Sequence, residues 1–341
     1  MTRAISLILF AALAAAESDP LVRGLEAFHQ GDYPLAEREL REALKTGGGE
    51  RANTFLALTL AVTGRCQEAG PALAKAFAGG ESEAARLAGL ALAQCHITRN
   101  RLDDAAAVVA KLKSKYPSDG DVLYQAARLY MRAWNDTIYQ LYQKNPSSFR
   151  VNQISGEILE TQGQFAEAAA EYRKAIEKSP RTLGLHFRLG RALLMSSHAP
   201  ETLDAALKEF EAELALNPLD SVAHYQVAQV LLAQQKSQEA AARFQRALEL
   251  NADFPEALVA LGKLRLDETK NDEAIGLLER AVKLQPRNEA AHYSLMMAYR
   301  NAGRMADARR EKSELDKLQR VPEGEFSEFL KKLGEKQPPQ K

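Results

Sequence analysis

The sequence predicts an all-α protein made of stacked helix pairs, and three observations carry that prediction. Prolines recur at a fixed interval: Pro146 to Pro180 is 34 residues, Pro180 to Pro218 is 38, and Pro218 to Pro286 is 68, twice 34. Between the prolines one order of sizes returns, small, aromatic, small, proline, as in Ala168, Tyr172, Ala175 and Pro180. Alanine is abundant and β-branched runs are rare, which favours helix because Ala gives up no side-chain entropy there. A period between 20 and 50 residues marks units that cannot bury an apolar face alone and must stack on their neighbours.

The chain begins "MTRAISLILFAALAAAESDP", with Arg3 ahead of an apolar stretch from Ile5 to about Ala14 and the small residues Ala14 and Ala16 behind it. This reads as a secretory signal over 1–16, cleaved after Ala16, with an uncleaved anchor as the alternative. The stretch is about a dozen residues, short of the ~20 that span a bilayer as a helix. The expectation is therefore an exported protein, periplasmic or secreted, with no membrane span after cleavage.

Units begin near Glu17, Glu50 and Arg86, giving three over residues 17–117. Residues 118–146 form a degenerate unit: "DVLYQAARLYMRAWNDTIYQLYQKNP" lacks a glycine turn and is rich in aromatics, Tyr124, Tyr130, Trp134, Tyr139 and Tyr142. Those rings either line a ligand pocket or, the favoured reading, fill a malformed gap between units. Five units follow over 147–318, beginning near Phe149, Leu183, Ser221, Pro255 and Glu289. The second of these carries about four extra residues around Ser196 to Glu201, which are expected to protrude as a loop. Residues 319–341 close the chain with a capping helix, where Phe326, Phe329, Leu330 and Leu333 fall at helical spacing, and a disordered tail.

Within a unit, "SSFRVNQISGEILETQGQFAEAAAEYRKAIEKSP" shows the plan. The first helix ends near Gly163, whose backbone turns freely, and the second runs from about Phe165 until Pro180 stops it. Ala168, Tyr172 and Ala175 lie four and three residues apart, on one face of that second helix, so that small and large positions interlock with the partner.

The pattern resembles the tetratricopeptide repeat. "LHFRLGRALL" carries Leu189 and Gly190 of the first helix; "AHYQVAQVLLAQQKSQEAAARFQRAL" carries Ala228, Ala240, Phe244 and Ala247; "LVRGLEAFHQGDYPLAERELREAL" carries Gly24, Gly31, Tyr33, Ala36 and Ala43. The resemblance implies a right-handed α-α superhelix of about nine helix pairs, and a non-catalytic scaffold that binds a protein or peptide. In that family the first helices line the concave side. The resemblance then points to Phe187, Tyr225 and Tyr293, with Val259 between, then Arg191, Gln229, Lys263 and Met297 one turn on, and Arg188, Gln226 and Arg300 alongside, as the peptide-binding face. Ordinary solvated variable positions are the competing reading of the same residues.

No chemistry competes with binding in the sequence. Lys plus Arg and Asp plus Glu number 45 each, so no general positive field draws nucleic acid. HExxH, CxxCH, GxSxG and GxxxxGK[ST] stretches are missing, and no enzyme activity, cofactor or metal is expected. His186, His224 and His292 fall at one place in their units, but a helix pair separates each from the next by about 20 Å, too far to share an ion. The two cysteines, Cys66 just after the "TGR" turn and Cys95 in "LAQCHI", fall at the same edge of neighbouring helices, where a bridge or two separate thiols both fit; export would oxidise them. The alternative function is an accessory or targeting subunit of an envelope or glycan-processing enzyme complex, with the catalysis on another chain.

Overall fold

The structure, a computed structural model, describes residues 19–319. The expected signal at 1–16 and the helix around Phe326 lie outside the described residues. Every regular element among the described residues is an α-helix. The chain divides into two compact units, the first ending at Lys144 and the second starting at Asn145.

The first unit holds α1 (Pro20–Gln30), α2 (Tyr33–Lys45), α3 (Gly49–Val62), α4 (Cys66–Ala78), α5 (Glu83–Thr98), α6 (Leu102–Lys115) and the long α7 (Gly120–Lys144). The second holds α8 (Phe149–Thr161), α9 (Phe165–Lys178), α10 (Leu185–Ser196), α11 (Pro200–Leu216), α12 (Ser221–Ala233), α13 (Ser237–Leu250), α14 (Pro255–Asp267), α15 (Asn271–Leu284), α16 (Glu289–Asn301) and α17 (Met305–Gln319). Within each unit, each helix packs on the next in sequence. First helices also touch across a pair, α3 on α5 and α14 on α16, which aligns them in one rank. Each unit is thus an all-α solenoid with its core between successive helices.

The turn inside a pair repeats with the same backbone. One residue adopts the left-handed conformation at Gly31, Gly64, Asn100, Gly163, Gln235, Thr269 and Gly303, with φ between 57° and 85°. Only glycine does this without a Cβ penalty, so Thr269, at φ 60°, is held there by the packing of the helices on either side. Several starts are capped by side chains: Asp32 accepts from Leu35 N, Ser82 from Ala85 N, Asp220 from Val222 N and Ala223 N, and Asn288 from Ala291 N. The α10 start has Gly184 instead, and the buried Glu213 of α11 takes over, accepting from Gly184 N at 2.7 Å and Phe187 N at 3.2 Å. A carboxylate at a helix N-terminus faces both unpaired N–H groups and the positive end of the dipole.

Close approach depends on glycine on one helix and a large ring or branch on the other. A Cβ on Gly156 would meet Tyr172 Cε1 at 2.6 Å, one on Gly190 would meet Phe210 Cε1 at 2.8 Å, and one on Gly262 would meet Leu278 Cγ at 2.7 Å. Tyr172, Phe210 and Phe244 are the largest fully buried side chains, and Ala168 and Ala175 beside Tyr172 are wholly enclosed. That is the interlock the small, aromatic, small order predicts.

Two expectations are corrected. The extra residues of the Leu183 unit do not protrude: the turn from α10 to α11 is Ser197, His198 and Ala199, as short as the other turns, and the additional length goes into α11, with 17 residues against 14 in α9. Ala199 is extended and Pro200 sits in the first turn of the helix, where a fixed φ and a missing N–H start the helix early. Nor do the aromatics of 118–146 fill a gap. Only Val122, Gln125, Ala126 and Leu129 of α7 are buried, while Tyr124, Tyr130, Trp134, Tyr139 and Tyr142 are exposed.

Cys66, the first residue of α4, and Cys95, near the end of α5, form a disulfide with Sγ–Sγ 2.02 Å and Cα–Cα 5.4 Å. It ties the second helix pair to the third.

Candidate functional site: the groove of the first helices

The face named from the sequence separates into three parts. Tyr225, Gln229, Val259 and Lys263 come together in one groove of about 510 Å³ in the second unit, walled by α12 and α14 and closed by Asn288 and Ala290 at the start of α16. Phe187, Arg188 and Arg191 belong to the packing of the preceding pairs. Gln226, Tyr293, Met297 and Arg300 are not in the groove lining.

Tyr225 is half-buried, and its ring is set by two others, Phe244 of α13 at 5.6 Å and Phe254 just before α14 at 5.0 Å between centroids. Burial pushes its phenol upward, so the hydroxyl stays protonated across neutral pH. Val259 forms part of the floor and is buried, 8% exposed. Lys263 is exposed and makes no ion pair among the described residues. Glu256, Val259, Ala260, Lys263 and Asp267 share one face of α14 because they fall about one helical turn apart. The groove therefore offers an aromatic edge, an aliphatic floor of Leu232, Val259 and Leu264, one free ammonium, and carboxylates at either end.

Of the other named cations, Arg188 and Arg191 are already occupied. Arg191 Nη2 lies 2.8 Å from Glu160 Oε2, and Arg188 Nη2 lies 3.2 Å from Glu157 Oε1, both links from α10 back to α8. Phe187 is partly buried and packs edge-on against Phe210 of the core at 5.6 Å. Arg300 Nη1 reaches Met297 Sδ at 3.8 Å on their own helix, and Tyr293 stands exposed beside them. Sequence reasoning missed Glu256, Asp267 and Asn288. The first two follow from the same one-turn spacing that points to Val259 and Lys263; Asn288 is hidden by its role as the cap of α16.

The three aligned histidines each serve their own pair. His186 Nδ1 is 2.7 Å from Glu209 Oε2, and His292 Nδ1 is 2.7 Å from Glu311 Oε2, bridging the helices of a pair. His224 Nε2 is 3.1 Å from Pro218 O, a carbonyl that accepts, so the proton sits on Nε2 and Nδ1 is left a bare acceptor, buried and without a hydrogen-bond partner. Desolvation holds the His224 imidazole below the ordinary histidine range. Among the described residues no group of three or more His, Cys, Asp or Glu is placed to hold a metal ion, and no helix is long and apolar enough to cross a membrane.

A second opening, about 580 Å³, lies against the disulfide in the first unit and is lined by Cys66, Cys95, Gln94, Arg65 and Arg99. Arg65 there is taken by Glu37 and Glu68, both at 2.6 Å.

This geometry is that of a repeat-built binding surface, and the comparisons agree on its class. The chain belongs to the tetratricopeptide-repeat family: the family pattern matches residues 21–84, 56–120, 155–220, 201–257 and 225–267, more than half of the chain. A second pattern, described as bacterial transcriptional activator domain, matches residues 247–318, the segment that folds as α14 to α17. Among curated proteins, the chain is 40% identical over 65 residues to the peroxisomal targeting signal receptor of Yarrowia lipolytica, which is 19% of this chain and 11% of that protein. It is 33% identical over 101 residues to DnaJ homolog subfamily C member 3 of Bos taurus, 30% of this chain and 19% of that protein. The matched segments are thus a small part of both relatives. Among solved structures, MamA 41-end from Desulfovibrio magneticus RS-1 is 17% identical, with TM-score 0.47 over 52% of this chain and 97% of that one. YrrB, described as a TPR protein with an unusual peptide-binding site, is 20% identical, with TM-score 0.45 over 57% of this chain and 97% of that one.

Proposed function

We propose that the chain is an exported, non-catalytic scaffold that holds an extended segment of a partner protein in the groove of α12, α14 and α16. The single observation carrying this reading is the convergence of Tyr225, Val259 and an unpaired Lys263 on the rank of first helices, with carboxylates at each end. An aromatic edge and an aliphatic floor take side chains, and the fixed polar groups set the register, the division of labour that binding interfaces show. The expected ligand is a peptide carrying an acidic group opposite Lys263 and a basic one opposite Glu256 or Asp267, by charge complementarity.

Export is supported by the N-terminal charge, apolar stretch and small pair over 1–16, and by a chain whose two cysteines are paired with each other. The even balance of cationic and anionic residues favours a protein partner over nucleic acid. The match over 247–318 to a bacterial transcriptional activator domain supports a second reading, an intracellular regulator that engages other proteins through α14 to α17. Service as an accessory subunit of an envelope or glycan-processing complex is a special case of the first.

Fractionation of cells producing the full chain, with intact mass of the recovered protein and cross-linking to its partners in each fraction, separates these readings. A chain beginning at Glu17 in the exported fraction, cross-linked through the groove, is expected. A chain starting at Met1, retained in the cytoplasm and associated with transcription machinery, supports the second reading instead.

A further inference from the structure

The residues of α7 outside its buried face, most of them exposed and Ile138 and Leu141 half-buried, follow a rule that neither the repeat nor the groove explains. Leu123, Ala127, Tyr130, Trp134, Thr137 and Leu141 are spaced four, three, four, three and four residues apart, the seam of a heptad. Beside that seam run Tyr124, Met131 and Ile138, each seven residues from the next. The seam is distinct from the face that packs on α5 and α6 through Val122, Gln125, Ala126 and Leu129. It also stands in solvent: Leu123 is 46% exposed, Tyr130 55%, Met131 64% and Trp134 51%.

Of the charged residues of α7, Asp121, Arg128, Arg132 and Asp136 fall on the outer heptad positions, away from the seam, and only Lys144 at the last residue continues its line. Lys113 of α6 stands over the Tyr130 ring at 5.7 Å and Arg128 over Tyr124 at 5.9 Å, but the seam positions themselves carry no charge along about two and a half heptads, and such a line is suited to another helix and ill suited to water. Its register also specifies which helix. The seam reads the same from either end about Arg132: an antiparallel copy sets Leu123 against Leu141, Ala127 against Thr137, and Tyr130 against Trp134, matching aliphatic to aliphatic, small to small and ring to ring. In the same register Met131 meets its own counterpart, and no like charges face each other. A parallel copy would instead stack Trp134 on Trp134 and Leu123 on Leu123, and would not use the match between the two ends of the seam.

We propose that α7 is a dimerisation helix, pairing antiparallel with α7 of a second copy of this chain through the Leu123–Leu141 seam. Such a pair is self-complementary about a two-fold axis, the ordinary symmetry of a homodimer. The missing second helix of this degenerate unit is then supplied by the partner.

Trp134 is the only tryptophan of the chain, so its emission reports on the seam directly. Sedimentation equilibrium of the full chain should give a dimer, and dilution through dissociation should shift Trp134 emission to the red. Met131→Asp and, separately, Tyr130→Arg should weaken association at least tenfold with unchanged helix content, since both side chains are exposed in one copy. A mixture of two single variants, Ala127→Cys and Thr137→Cys, should form an intermolecular disulfide that neither forms alone, because identical positions lie about 15 Å apart along an antiparallel pair. A wild-type chain that is monomeric at every concentration overturns the proposal. So does a dimer indifferent to both charged substitutions, or one in which Ala127→Cys links to itself.

Discussion

His292 and Glu311 join the two helices of the last described pair through a 2.7 Å contact, while two pairs earlier the same histidine position, His224, has Arg243 nineteen residues on, where Glu311 stands for His292. Arg243 turns instead to Glu211 of the preceding pair, at 3.5 Å, and His224 Nδ1 is left without a partner. Arg243→Glu should therefore restore the bridge. The gain at low pH is set by the sign of the His224 shift. Burial lowers its folded value below that of the unfolded chain, so in the wild type the contribution is whole above the unfolded value of 6.5 and is lost as pH falls below it. A carboxylate at 243 favours the protonated ring and should reverse that loss. Urea unfolding at pH 7 and pH 5 checks this: the variant should be more stable by about 1 kcal/mol at pH 5, with a smaller difference at pH 7, and equal curves at both pH values refute it.

Gly156 and Tyr172 make the tightest fit between a first and a second helix. A methyl group on Gly156 would press on the ring at 2.6 to 2.9 Å, and the ring is fully buried and has nowhere to go. Gly156→Ala should cost about 1 to 3 kcal/mol, and Ala168→Leu, which overfills the other side of the same contact, a similar amount. Gly276→Ala is the control: open space surrounds that position in mid-helix, so the change should be neutral or slightly stabilising. Thermal melts of the three variants decide it, and indistinguishable melts would mean that the helix pairing is not held by these contacts.

These residues also show what the sequence could convey. Ala168, Tyr172 and Ala175 were legible because spacing along one helix fixes which residues share a face, and the proline period fixes where helices stop. The glycine that receives Tyr172 was not, because Gly156 reads as a weak helix position until the opposing ring is seen. The groove was half legible for the same reason: Tyr225, Gln229 and Lys263 follow from helical spacing, whereas the engagement of Arg188 with Glu157 and Arg191 with Glu160 depends on how neighbouring pairs stack. The sequence suggests filling for the aromatics of α7 because large apolar side chains usually are buried, and nothing local to the chain tells an exposed seam from a buried one.

Cys66 and Cys95 close a loop with a sequence separation of 29. By the chain-entropy account such a link stabilises by about 3 to 4 kcal/mol. Because each pair in a solenoid is held mainly by its neighbours, the loss should fall on the first unit and leave the second melting as before. The double variant Cys66→Ser with Cys95→Ser, followed by hydrogen exchange along the chain, should show faster exchange in α3 to α5 and unchanged protection in α12 to α16. Thiol labelling of the unreduced, denatured wild type should find no free thiol. Labelling of both cysteines would remove the bridge.

The groove prediction turns on separating ligand contacts from stacking contacts. Tyr225→Ala removes the aromatic edge, and because that ring also rests on Phe244 and Phe254 it should lower stability as well as binding. Lys263→Glu reverses an exposed charge that has no ion-pair partner among the described residues, so it should leave the melting transition within about 0.5 kcal/mol of wild type while weakening an acidic peptide at least tenfold. Arg191→Ala breaks a half-exposed ion pair with Glu160, for which about 0 to 1 kcal/mol of stability is at stake and no affinity. Titration of a captured partner peptide against the three variants should rank Lys263→Glu and Tyr225→Ala well below wild type, and Arg191→Ala beside it. Raising the salt concentration should narrow the gap for Lys263→Glu and leave that for Tyr225→Ala, since screening acts on the exposed charge and not on ring burial. If Arg191→Ala weakens binding as much as Lys263→Glu does, the peptide runs along α8 and α10 in place of the groove between α12 and α14.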